Sequence, residues 1–185
     1  LQSQVGGGLQ AYANYQLDDG LNGYRNMAII GLKHNYEVTD HVTLNTGLER
    51  VKTIRGSRQG DFTAFSIAGE YLPPRAFKSS GRFEYRDGVT LDKIVASGAF
   101  DFTLGGGFSW LGKHTYLDEK RSAGINVGTG ASEQVRHHLL TGLAYRPLYH
   151  DYLNLLGKYE FKYDRSSFVN PSATTYTHIG SIEGI

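Results

Sequence analysis

The sequence predicts an all-β protein: an antiparallel, up-and-down transmembrane β-barrel with about ten visible strands, as part of a larger barrel. Three observations predict this fold class. Apolar and polar residues alternate with period two, which places them on opposite faces of a strand. The alternating segments are about ten residues long and recur along all 185 residues. Short and long connections alternate between the segments, as they do in barrels that cross a bilayer.

Residues 77–86 show the alternation most clearly. The odd positions carry Phe, Ser, Gly, Phe and Tyr, and the even positions carry Lys, Ser, Arg, Glu and Arg. One face of this strand is therefore apolar and aromatic, and the other face is strongly ionic.

The same pattern places the other strands. Strand 41–53 has the weakest alternation, because Arg50 and Lys52 follow Leu44 and Leu48 on one face. Strand 92–104 has the cleanest, with an apolar face that carries no charge from Ile94 onward. The ten expected strands are 7–17, 27–38, 41–53, 61–72, 75–86, 92–104, 107–117, 135–146, 152–164 and 175–185.

Connection lengths predict which strand ends lie together. Strands that run up and down would place the tight turns at one end and the longer polar loops at the other, as in outer-membrane barrels. Tight turns are expected at 39–40, 73–74, 104–106 and 147–151. Long connections are expected at 18–26, 54–60, 87–91, 118–134 and 165–174.

Composition agrees with this fold and excludes other classes. Hydrophobic residues make up 39% of the chain, the mean hydropathy is −0.37, and no apolar run is long enough for a transmembrane helix. The absence of cysteine removes disulfides, thiol catalysis and cysteine-bound metals. A net charge of +1 with mixed signs does not fit a nucleic-acid partner. No cofactor and no metal are expected.

A soluble barrel would show the same alternation turned inside out, with the apolar face filling the interior. Strands of ten to twelve residues favour the membrane alternative, because they match a tilted crossing of the bilayer and soluble strands are usually shorter. The alternating connection lengths and the scarcity of charges on the apolar face favour it as well.

Three segments resemble strands of Gram-negative outer-membrane β-barrels: 142–147 (GLAYRP), 154–161 (NLLGKYEF) and 68–71 (AGEY). The resemblance is to porin-like barrels and to the barrel domains of large surface proteins. It implies location in the bacterial outer membrane, contact with membrane lipid and lipopolysaccharide, and further domains or subunits of a surface assembly. Such barrels close on a terminal aromatic residue, which Ile185 is not. We therefore expect residues 1–185 to be a single barrel domain cut from a longer chain.

The alternation also assigns residues to the two faces. The ionic face would line a pore that passes small polar solutes or ions, or, in a narrow barrel, its charges of both signs would pair across the lumen and plug it. A slight cationic excess, clearest at Lys78, Arg82 and Arg86, would favour anions, but mixed charges more often neutralise each other. The predicted pore-lining residues are Lys33, Glu70, Lys78, Arg82, Glu84, Arg86, Lys93, Asp101, Lys113, Lys158, Glu160 and Lys162.

Aromatic residues near strand ends on the apolar face predict belts at the two membrane interfaces, where amphipathic rings are favoured. The predicted belt residues are Tyr15, Tyr36, Tyr71, Tyr85, Phe102, Tyr116, Tyr145 and Tyr163.

Two other functions stay open from the sequence: a non-conducting barrel that anchors a larger surface protein, and an outer-membrane enzyme with an active site at the rim. The enzyme is the weaker alternative. The adjacent residues His137 and His138 point to opposite faces, and both His150–Asp151 and 18–20 (Asp-Asp-Gly) fit turns. We therefore expect no catalytic activity.

Overall fold

The structure is a computed structural model that describes residues 2–20, 23–56, 60–74, 77–122, 132–147, 153–167 and 173–184. These residues form one eleven-stranded sheet. The described part of the chain has no helix that is long and apolar enough to cross a membrane. The strands are β1 (Gln2–Gly6), β2 (Leu9–Gly20), β3 (Gly23–Thr39), β4 (Val42–Arg55), β5 (Phe62–Tyr71), β6 (Phe77–Gly88), β7 (Leu91–Gly105), β8 (Phe108–Arg121), β9 (Ser132–Tyr145), β10 (Leu155–Ser166) and β11 (Ala173–Gly184).

The strands follow one another in the sheet in chain order, and each pair of neighbours is antiparallel. The predicted all-β, up-and-down architecture is therefore confirmed. The structure adds one strand to the expected ten, because Gln2–Gly6 folds back on β2 through a turn at Gly7–Gly8. Within the described residues β1 and β11 each pair on one side only, so the sheet is open.

Two expected long connections are wrong because strands continue through them. β2 and β3 leave only residues 21–22 between them, and β6 and β7 leave only residues 89–90. In the backbone register Asp18 lies opposite Arg25 and Asp19 lies opposite Tyr24, so residues 18–20 are strand and not turn. Continued pairing satisfies the backbone donors and acceptors that a turn would leave to solvent, and this outweighs the local turn preference of Asp and Gly.

One expected tight turn is also wrong. β9 ends at Tyr145 and β10 begins at Leu155, so residues 146–154 form a connection longer than the predicted turn at 147–151. His150 and Asp151 lie outside the described residues.

The two ends of the sheet still differ. We call the end with Gly7–Gly8, Asp40–His41 and Gly106–Gly107 the turn end, and the opposite end the loop end. At Gly106–Gly107 both residues have positive φ, 61° and 88°, which glycine adopts without a steric penalty. The loop end carries the connections 56–61, 122–131 and 167–172 beside the two short ones, and the turn end carries 146–154 beside its short turns. The predicted alternation of connection lengths is therefore partial.

Neighbouring strands are staggered in a constant direction. One row of directly opposed residues shows this. It starts at Leu9, at the turn end of β2, passes through Phe83 and His137, and reaches Tyr176, near the loop end of β11. A constant stagger of this kind accompanies the strand tilt that allows a sheet to curve into a barrel.

The sheet has two chemically different faces. Directly opposed residues share a face, so Lys33, Gly47, Ser66 and Glu84 define one face, here called the polar face. The opposite side, here called the apolar face, carries large exposed side chains such as Ile30.

The described residues form almost no packed core, since Val51 and Ala64 are the apolar residues buried among them. One cavity on the polar face is lined by residues of β2 through β6, so β2–β6 curve around that face. A soluble barrel, which fills its interior with apolar side chains, has the opposite arrangement.

Candidate functional site

The strand register brings the predicted pore-lining residues together on the polar face. All twelve lie there: Lys33, Glu70, Lys78, Arg82, Glu84, Arg86, Lys93, Asp101, Lys113, Lys158, Glu160 and Lys162. The face is therefore as the alternation predicted. Whether it borders water in a pore stays a prediction.

A groove runs along the polar face between β2 and β6. It encloses a cavity of about 580 Å³. Small residues line it on β4 and β5: Gly47, Ala64, Ser66 and Ala68. Longer side chains rise on both sides, from β2 and β3 on one wall and from β6 on the other. Small residues below long ones leave space that solvent and a small solute can enter.

The β6 wall is a ladder of three charged residues. Arg82 Nη2 lies 2.6 Å from Glu84 Oε2, and Arg86 Nη2 lies 3.2 Å from Glu84 Oε1. One carboxylate thus holds two guanidinium groups, which leaves the ladder with one net positive charge. Arg86 is held further by Phe62, whose ring centre is 4.1 Å from the guanidinium carbon. Arg82 keeps 59% of its side-chain surface exposed, so it is the arginine that can meet a solute.

The opposite wall contains Tyr12, which the sequence analysis did not select, beside Glu49, which the alternation assigns to the ionic face. The phenol of Tyr12 donates a hydrogen bond to Glu49 Oε2 at 2.6 Å, and the Lys33 ammonium lies 5.2 Å from the centre of the Tyr12 ring. The alternation of β2 already placed Tyr12 among polar neighbours such as Gln10 and Asn14. A tyrosine on the ionic face, away from any strand end, was the available signal.

Charges on the polar face of β7–β11 are largely paired with one another. Lys93 lies 2.9 Å from Glu119, Lys158 lies 2.7 Å from Glu183, and Arg136 lies 2.7 Å from Asp164. The Glu160 carboxylate accepts hydrogen bonds from both Lys162, at 2.8 Å, and His138, at 2.7 Å. The sequence analysis left out Glu119, Asp164 and Glu183, each of which pairs with a cation on this face. Any ion preference must therefore arise locally, and the β6 ladder is the strongest local candidate.

The predicted belt residues all lie on the apolar face: Tyr15, Tyr36, Tyr71, Tyr85, Phe102, Tyr116, Tyr145 and Tyr163. Their rings meet others that the analysis did not select. At the turn end Phe77 lies between Tyr71 and Phe102, with ring centres at 6.3 and 6.2 Å, and Phe108 lies 4.4 Å from Tyr145. These contacts make a row of rings along the turn end of β5–β9.

A second row of rings lies nearer the loop end, on β8–β11. His137 lies 4.9 Å from Tyr116 and 5.6 Å from Tyr163, and Tyr176 continues the row at 5.3 Å from Tyr163. Beyond it the apolar face becomes charged, with Lys120 at 3.5 Å from both Asp118 and Glu133. The apolar face of β8–β9 thus lies between two rows of rings, with charges beyond the loop-end row; a role of these rings in membrane belts stays a prediction.

Within the described residues the rim candidates do not come together in one site. His137 lies on the apolar face and His138 on the polar face, as their adjacency requires. Asp18 and Asp19 lie in β2 and not in a turn, and His150 and Asp151 lie outside the described residues. No group of three or more His, Cys, Asp or Glu side chains in the described part of the chain is arranged to hold a metal ion.

Comparison with known proteins finds a likeness in fold alone. No protein family and no curated protein matches the sequence. The chain is similar to the crystal structure of OpdQ from Pseudomonas aeruginosa, a porin barrel, with a TM-score of 0.51 and 10% sequence identity. The match covers 100% of this chain and 54% of the OpdQ chain. The chain thus spans about half the length of the porin that it resembles.

Proposed function

We propose that this chain forms part of the wall of an outer-membrane, porin-like channel through which small polar solutes or ions diffuse. One observation carries the proposal: the ionic side chains share one face of the sheet, and the large apolar side chains share the other face. A water-filled lumen and a lipid exterior require this arrangement. The likeness to the OpdQ barrel supports it at the level of the fold.

Lipid is the proposed partner of the apolar face. Leu48, Phe83 and Tyr159 each keep at least 40% of their surface exposed on that face, and exposed apolar area of this extent is unfavourable in water. The two rows of rings would lie at the two interfaces of the bilayer. The loop end would face outward, where charged side chains meet the headgroups of lipopolysaccharide.

The open edges of the sheet support a wall with more strands than the eleven described here. Each edge presents unpaired backbone groups within the described residues, and a bilayer does not tolerate such groups. Pairing with further strands would satisfy them. A barrel of 16–18 strands encloses an aqueous channel, whereas one of about eight is filled by its own side chains. A larger wall therefore favours conduction over a plugged lumen.

Conductance across a planar lipid bilayer tests the proposal. Discrete steps of open current are expected after the protein is added, and their absence over a range of voltages would support a non-conducting anchor barrel instead. The anchor has one observation in its favour, since ion pairs on β7–β11 resemble the paired charges of a plugged lumen.

Charge reversal identifies the path of the ions. Replacing Lys78, Arg82 and Arg86 with Glu should move the selectivity from anions toward cations. Lys52→Glu makes the same kind of change on the apolar face and should leave the selectivity unaltered. If neither variant changes the reversal potential, β6 does not line the conducting path.

A further inference from the structure

Two imidazole rings face each other on the apolar face. His114 on β8 and His137 on β9 are diagonal neighbours, since His114 opposes Leu139 and His137 opposes Tyr116. Their ring centres are 5.6 Å apart and their planes differ by 25°. Nδ1 of His137 lies 3.4 Å from Nε2 of His114.

The surroundings of this pair offer little polar compensation. Each ring has two nitrogens, and the contact between the rings uses one from each. The described residues provide no other hydrogen-bond partner to either ring. The neighbouring side chains include Leu139 and Phe161, which are apolar. Polar nitrogens on an apolar surface cost free energy unless something binds them.

We propose that His114 and His137 form a two-imidazole site for a divalent transition-metal ion of the Cu²⁺ or Zn²⁺ class. Two nitrogens bound at 2.0–2.1 Å with tetrahedral angles are about 3.4 Å apart. The observed separation of 3.4 Å matches this distance, so binding needs a change of tautomer and a small turn of the two rings, and no shift of the strands. Imidazole nitrogen is a preferred ligand for copper, zinc and nickel.

The remaining coordination positions would belong to water from the headgroup side, because His137 belongs to the loop-end row of rings that the proposed function sets at a bilayer interface. A hollow of about 480 Å³, lined by both histidines and by Leu139, Phe161 and Tyr163, opens in front of the two rings. It has room for the ion and its water molecules. The site is open, because the described residues supply no cluster of three or more histidine, cysteine or acidic ligands.

Two other histidines provide matched controls. His138 is the chain neighbour of His137 but lies on the polar face, with its Nε2 2.7 Å from Glu160 Oε1. His178 lies on the same apolar face, with its ring centre 5.0 Å from that of Phe161, but its Nδ1 is 2.8 Å from the hydroxyl of Tyr159. Each of these rings already has a polar partner.

Electron paramagnetic resonance with Cu²⁺ as the probe tests the site on the full chain, without a histidine tag, in detergent micelles. One copper per chain is expected, with hyperfine splitting from two nitrogens, and Zn²⁺ should displace it. His114→Ala and His137→Ala should each lose the two-nitrogen signal. Each should also weaken binding by at least the ~10–100-fold typical of losing an outer-shell partner.

His138→Ala and His178→Ala should keep both the signal and the affinity, and circular dichroism should show that all four variants retain their β-sheet. The proposal is overturned if the wild-type chain binds copper no better than the double variant His114→Ala/His137→Ala. It is also overturned if His178→Ala loses the signal as His114→Ala does. None of these readouts depends on conduction, so the site can fail or stand apart from the proposed channel.

Discussion

Tyr12 on β2 reaches over the intervening strand to Glu49 on β4 and donates a hydrogen bond of 2.6 Å to its Oε2 atom. The residue between them on β3 is Gly31, which opposes Tyr12 on one side and Glu49 on the other. A Cβ atom at Gly31 would overlap the ring of Tyr12. The missing side chain therefore lets one hydrogen bond tie three strands together at the edge of the groove.

Gly31→Ala should destabilise the protein by about 1–3 kcal/mol, the usual cost of forcing extra atoms into a filled site. The new methyl group would push the Tyr12 ring away from β3 and lengthen its hydrogen bond to Glu49. The midpoint of urea unfolding in detergent micelles measures the change.

Gly98→Ala on β7 is the matched control for this substitution. A Cβ atom at Gly98 would have its nearest neighbour, the Ser80 carbonyl oxygen, at an ordinary 3.9 Å. Alanine should be neutral or slightly stabilising there, because glycine weakens a strand interior. Equal unfolding midpoints for the two variants would show that the Tyr12 ring does not lie over Gly31.

A double-mutant cycle should show that Tyr12 and Glu49 are coupled. Tyr12→Phe keeps the ring and its contact with Lys33 but removes the donor, at an expected cost of about 1 kcal/mol. Glu49→Gln weakens the same bond by removing the charge of the acceptor. The double variant should cost about 0.5–1 kcal/mol less than the sum of the single variants. Additivity of the two unfolding free energies would indicate that the residues act independently.

The assignment of residues to faces could be predicted from the sequence, because the period of a strand alone decides it. Lys78, Arg82 and Arg86 are separated by even numbers of residues, so they share a face wherever the strand lies. The same reasoning placed Tyr85 on the opposite face. No tertiary information is needed for either assignment.

The pairs that form across strands could not be predicted, because they depend on register. Lys93 meets Glu119 and His137 meets His114 only because β7, β8 and β9 are aligned as they are, and a slip of one residue would break both contacts. Strand ends were also poorly predicted, as at 18–20. The turn preference of Asp and Gly is local, whereas the pairing of β2 with β3 that overrides it is not.

A second close approach across a glycine gives a prediction on the apolar face. The ring of Phe100 on β7 lies where a Cβ atom of Gly112 would be, and its centre is 4.8 Å from that of Trp110 at an angle of 76°. Gly112→Ala should displace the phenyl ring and destabilise the sheet by about 1–3 kcal/mol. Trp110 is the single tryptophan of the chain, so its fluorescence should change in the folded state.

Removing the ring should abolish this penalty. In the background Phe100→Ala, the further change Gly112→Ala should be nearly neutral, because no ring is left to displace. A penalty that persists in that background would locate the strain in the backbone and not in the contact between Phe100 and Gly112.

Glu84→Gln should make the β6 ladder more attractive to anions. The substitution removes the carboxylate that holds Arg82 at 2.6 Å and Arg86 at 3.2 Å, so the ladder changes from one net positive charge to two. Rings and strips of basic side chains favour anions in a pore. The reversal potential in a salt gradient should therefore shift toward that of the anion, and the shift should shrink at high salt, where charges are screened.

Asp87→Asn is the control, because it removes one negative charge on the same strand but on the apolar face, from which Asp87 projects. The reversal potential of this variant should stay at the wild-type value. Equal shifts in the two variants would mean that the channel senses total charge rather than the ladder. No shift in Glu84→Gln would place β6 away from the conducting path.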